Sequence, residues 1–124
     1  MTNSVHNMKL KPQPFEMIKS GKKTIELRLL DEKRQLIKVG DTIVFTNTST
    51  NEKIISTVLK LHLFNNFKEL YDTLPLLKCG YTPDDVDSAQ YSDMEQYYSL
   101  EEQEKDGVIG IELCCWGEVK ARWK

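Results

Sequence analysis

The chain has 124 residues, 40% hydrophobic and 29% charged, with 17 Lys and Arg against 19 Asp and Glu and a formal net charge of −2. This is the common size of one domain and buries roughly two thirds of the unfolded surface, while the composition excludes collagen-like, disulfide-scaffold and wholly disordered chains. No apolar run approaches the ~20 residues that span a bilayer, and MTNSVHNMKL lacks the apolar core of a secretory signal. The expectation is a soluble, cytoplasmic protein with no membrane partner. Cys79, Cys114 and Cys115 form no CxxC pair, and they read as reduced thiols.

In chain order, a short strand is expected from His6 to Leu10. In KPQPFEMIKSGKK, Pro14 suits a first helical position, Phe15 and Ile18 share a face, and Gly21 suits a C-terminal cap, which gives a two-turn helix. TIELRLL alternates at period two. Ile25, Leu27 and Leu29 take the core face, and Thr24, Glu26 and Arg28 form a polar row. LIKVGDTIVFTN and KIISTVLKLHLF read as two strands of a hairpin, the second long enough to bend or bulge.

From Asn66 to Asp106 the pattern turns helical. Asn66 is placed to cap a helix through Phe67, Leu70 and Tyr71, Thr82-Pro83-Asp84-Asp85 reads as a second cap, and Ser92 or Asp93 opens a third helix through Met94, Tyr97 and Tyr98. GVIGIELCCW is the last, central strand, and GEVKARWK has no period and reads as a frayed tail. The reading is one α+β domain over 6–116, with terminal tails at 1–5 and 117–124. It is a small mixed β-barrel of about five strands, with an early short helix and a helical insertion before the last strand.

Charge is unevenly placed. Lys9 to Gly40 holds nine Lys and Arg against four acids (+5), and Asp84 to Asp106 holds nine acids against Lys105 (−8). The first segment suits an anion and the second repels one. His6 and His62 are the only histidines, with no Cys/His/Asp cluster at ligand spacing, and the glycines form no phosphate loop, so neither a metal nor another cofactor is expected. Cys114 and Cys115 point to opposite faces of a strand and read as packing.

The run Ser20 to Arg28 brings a helix end, Lys22 and Lys23 beside the strand face of Thr24, Glu26 and Arg28. Glu26 and Arg28 lie roughly 7 Å apart along the strand, close enough to pair or to share a ligand. The insertion is expected to roof this face as a pocket.

PFEMIKSGKKTIELR, IKVGDTIVF and GVIGIEL together resemble the ASCH (activating signal cointegrator homology) domain, a family with a PUA-like β-barrel. Its G-x-K-T/R-I-E-x-R core falls on Gly21, Lys23, Thr24, Ile25, Glu26 and Arg28. The resemblance implies binding of RNA or a nucleoside or nucleotide derivative beside this motif; in such a cleft Lys22, Lys23, Thr24, Glu26 and Arg28 are the expected contacts, and Tyr97 and Tyr98 of the insertion either offer a stacking face or pack the insertion onto the barrel. Amidohydrolase members imply a second role. Their catalytic Lys matches Lys23, but their nucleophilic Thr falls on Glu26, so an enzyme here would use Glu26 as base and Lys23 to stabilise developing charge. Their further Glu has Glu69 and Glu95 as candidates. A non-catalytic adaptor with a basic protein-binding face is the third reading, and both a monomer and a weak dimer fit the sequence.

Overall fold

A computed structural model describes residues 3–118, with side chains through residue 114. The elements run β1 (Val5–Leu10), α1 (Pro12–Lys19), β2 (Ile25–Leu29), β3 (Thr42–Asn47), β4 (Lys53–Phe64), α2 (Phe67–Thr73), α3 (Leu100–Asp106) and β5 (Val108–Glu118). Short 3-10 segments lie at Arg34–Leu36, Leu76–Lys78, Val86–Ser88 and Tyr91–Gln96.

The strands form one curled sheet in the order β1-β3-β4-β5-β2, a half-barrel. β1 lies parallel to β3 and the other three pairings are antiparallel. The mixture follows from the helical connection after β1, because only antiparallel neighbours can be joined by a tight turn. The long β4 shifts register between Ile55 and Thr57 and again between Val58 and Lys60. Such irregularities raise local twist and curl the sheet.

Two apolar cores result. Phe15 and Ile18 of α1 pack inside the half-barrel against Ile43, Phe45, Ile54 and Ile111. Ile25, Leu27 and Leu29 of β2 instead join Phe67, Leu70 and Leu74, so the apolar face of TIELRLL seats the insertion rather than filling the barrel. With one face of β2 taken by that core, its polar row must face elsewhere. That is what creates the site.

Local expectations meet several corrections. Pro12, not Pro14, starts α1, and the C-cap is Ser20, with Gly21 just beyond it at φ +83°. Residues 83–85 form a turn, and the expected third helix is a 3-10 segment at Tyr91–Gln96. Asn66 does cap α2, accepting from the Glu69 amide. α3 was not expected; its Ser99–Glu102 capping box was present in the sequence. Cys79 is a buried free thiol, but Cys114 is disulfide-bonded, which corrects the expectation of three reduced cysteines. β5 extends through Gly117 and Glu118, two residues expected in the tail, and residues 119–124 of that tail lie outside the described residues. No described helix is long and apolar enough to cross a membrane.

Candidate functional site

Lys23 leaves the end of α1 with its amide on the Met17 carbonyl at 3.0 Å, which fixes the approach to β2. β2 then runs against β5, with Glu26 opposite Ile111 and Arg28 opposite Ile109. Glu26 is buried, with a fractional exposure of 3%. Its two oxygens meet different cations: Lys23 Nζ lies 2.8 Å from Oε1, and Arg28 Nε donates to Oε2 at 2.7 Å. Arg28 Nη2 also donates to the Lys9 carbonyl at 2.9 Å, tying β2 to β1.

Burial alone would raise the Glu26 carboxyl, but Lys23 and Arg28 outweigh it and hold the group below the ordinary carboxylate range. For Arg28, burial works to lower the value, and Glu26 reverses this so that it is raised. Glu26 and Arg28 therefore stay ionised, and one carboxylate sits between two basic side chains. Both Glu26 oxygens are held in ion pairs with these cations, while Arg28 keeps Nη1 without a partner and Lys23 Nζ has no other ion-pair partner among the described residues.

This cluster forms one wall of a cavity of about 820 Å³. Lys9 and Lys11 add positive charge to its lining, and the insertion contributes Tyr71, Tyr81, Asp93 and Tyr98. Tyr98 is held by a ring stack on Phe67, with centroids 5.9 Å apart. Cys79 also lines the cavity, but burial pushes its thiol up to about 11 despite nearby Lys23, so it stays protonated and unreactive.

Of the residues expected from sequence, Lys23, Glu26, Arg28, Tyr97 and Tyr98 all line this cavity. Lys22 and Thr24 do not: Lys22 is exposed, and Thr24 serves through its backbone, with its amide on the Lys78 carbonyl and its carbonyl on the Leu113 amide. Neither Glu69 nor Glu95 reaches it, since Glu69 accepts from the Asn65 amide at 3.1 Å and Glu95 is exposed. The acids of the insertion that line the cavity are Asp85 and Asp93, which sequence marked only as part of a cap and as a helix opener. Tyr71 and Tyr81 were missed as well. Their ten-residue separation spans an irregular loop, and no period could have paired them.

The histidines lie apart from the site. His6 Nε2 is 2.8 Å from Asp41 Oδ2 and His62 Nε2 is 2.9 Å from Glu112 Oε1. Among the described residues there is no group of three His, Cys, Asp or Glu side chains placed to hold a metal.

The sequence matches the ASCH domain family over residues 8–115. No curated protein matches it. Among solved structures, the hypothetical protein PH0355 is 32% identical with a TM-score of 0.71, over 88% of this chain and 96% of that one. Protein PF0455 from Pyrococcus furiosus is 29% identical with a TM-score of 0.64, over 94% and 98%. ASCH from Zymomonas mobilis shares the fold at 17% identity, with a TM-score of 0.65 over 92% of this chain and 69% of that one. The half-barrel with its late insertion and the motif around Lys23, Glu26 and Arg28 place this chain in the ASCH domain family.

Proposed function

We propose that this protein binds RNA or a nucleoside or nucleotide derivative in the cavity beside Lys23 and Arg28. The observation that carries the reading is the internal pairing of Glu26. Because that carboxylate holds both cations, their remaining N–H groups are fixed toward the cavity without being neutralised. Preorganised donors of this kind suit a phosphate or carbonyl oxygen, and the adjacent tyrosines suit a base. A cavity of about 820 Å³ lies within the usual range for small-molecule sites.

The same geometry argues against Glu26 as the base of a hydrolase. A general base needs proton affinity near the working pH and contact with a water. Glu26 has a lowered pKa, and its Oε1 has no accessible surface. Glu26 is a positioning residue in this reading. The net charge of −2 and the acidic insertion also disfavour long, sequence-independent RNA contacts, which need many phosphate pairings.

The test is calorimetric titration of the purified chain with nucleosides, nucleoside monophosphates and short RNAs. Saturable binding at one site per chain is the expected result. No saturable binding to any of the three classes would overturn the proposal.

A further inference from the structure

The insertion's side of the cavity holds a hydrogen-bonded chain that the reading above does not use. Tyr81 Oη donates to Asp93 Oδ2 at 2.7 Å, and Tyr71 Oη lies 2.7 Å from Tyr81 Oη. The Gln90 amide donates to the same Asp93 oxygen at 3.1 Å. All three side chains of the Tyr71–Tyr81–Asp93 chain line the cavity.

Proton counting fixes the direction of this chain. A phenol has one proton to give. Tyr81 gives its proton to Asp93, so the Tyr71 hydroxyl must be the donor in the second bond. Burial raises the pKa of both phenols, and for Tyr81 the bond to Tyr71 and the bond to Asp93 raise it further, so both protons stay in place. Every proton in the chain then points toward Asp93, and what remains for a ligand is lone pairs. These are the free lone pairs of Tyr71 Oη and the whole of Asp93 Oδ1, which has no hydrogen bond from a described residue. Lys23 and Arg28 offer the reverse, N–H donors left over from their pairing with Glu26 and the Lys9 carbonyl.

We propose that the cavity is directional and selects nucleotides whose base carries an amino group over their oxo counterparts, with Tyr71 and Asp93 as the specificity-determining residues. This rests on the nucleotide reading of the same cavity. The anionic end of the ligand faces Lys23 and Arg28, and the exocyclic amine donates to Asp93 Oδ1 or Tyr71 Oη. An oxo group at that position sets lone pair against lone pair and leaves a desolvated acceptor unpaired, which is how a site built for an N–H rejects the analogue lacking it.

The test compares matched pairs, cytidine with uridine monophosphate and adenosine with inosine monophosphate, by calorimetric titration of wild type, Tyr71→Phe, Asp93→Asn and Arg28→Ala. Wild type should prefer the amino member of each pair by about tenfold or more. Asp93→Asn places an amide donor at the same position and should bring each pair within about threefold or invert the order. Tyr71→Phe removes only the outer hydroxyl, should weaken the preference with the fold intact, and decides the matter alone if Asp93→Asn does not fold. Equal wild-type affinities within each pair, with binding still weakened in Arg28→Ala, overturn this inference and leave the nucleotide reading standing. A preference unchanged in both Tyr71→Phe and Asp93→Asn overturns the assignment to these residues. Failure of all four nucleotides to bind overturns the inference together with the reading beneath it.

Discussion

Arg28 Nε and Glu26 Oε2 lie 2.7 Å apart although the two residues are neighbours on one face of one strand. Side chains at i and i+2 stand roughly 7 Å apart at their backbones, so the pair forms only because Arg28 folds back along β2. That posture uses Nε and leaves the end of the guanidinium for the Lys9 carbonyl and the cavity. Lys23 closes on the other carboxylate oxygen from outside the strand. A carboxylate held between two cations fixes them both while cancelling only one charge.

Arg28→Ala should weaken binding of an anionic nucleotide by about 1 to 3 kcal/mol, the contribution of charge-assisted hydrogen bonds at a fixed site. Calorimetric titration of the variant beside wild type reads this directly. Equal affinities would remove Arg28 from the site.

Glu26→Gln keeps the shape and removes the charge, which leaves Lys23 and Arg28 close together without a counter-ion. Breaking a buried pair from one side costs about 3 to 5 kcal/mol, and the lower end is expected because both cations border the cavity. Denaturant unfolding measures the loss. A change below about 1 kcal/mol would show that the cluster is not a coupled unit.

Acid sensitivity follows from Asp41, a buried carboxylate that accepts from His6, the Ser4 amide and the Lys38 amide. The bond to His6, followed by that to the Ser4 amide, lowers its pKa from 3.8 to about 2. A depressed folded-state value stabilises the fold above the unfolded value and is lost as the group is protonated. The contribution of Asp41 should therefore be complete above pH 3.8 and fall away towards pH 2. Glu26 shifts in the same direction. Thermal melts between pH 2 and 6 should show a steeper acid decline in wild type than in Asp41→Asn, and parallel curves would contradict the assignment.

Gly107 joins α3 to β5 at φ +75°, and a Cβ there would lie 3.0 Å from the Phe64 carbonyl oxygen. Its own carbonyl accepts from Leu30 just beyond β2. Gly107→Ala should cost about 1 to 3 kcal/mol through backbone strain and that contact. A thermal melt unchanged from wild type would refute it.

The sequence by itself determined the strands, the early helix, the hairpin with its long irregular second strand, and the polar phase of β2. These are short-range properties. Alternation at period two in TIELRLL sets Glu26 and Arg28 on one face whatever packs around them, and Asn66 caps a helix through contacts within three residues.

The tertiary structure alone decided what each face meets. Ile25, Leu27 and Leu29 pack on the insertion and not inside the barrel, and that choice turns Glu26 and Arg28 into a cavity wall. It also decided that Lys23 closes on Glu26 while Lys22 and Thr24 stay outside the cavity, and that Asp93 rather than Glu69 or Glu95 lines it. Tyr71, Tyr81 and Asp93 meet across 3-10 segments and turns whose direction depends on packing, so no spacing rule along the chain could have joined them. Periodicity records which side of an element a residue occupies. Which other element lies opposite is set by the closure of the sheet and the seating of the insertion, where contacts distant in the chain outweigh local preference.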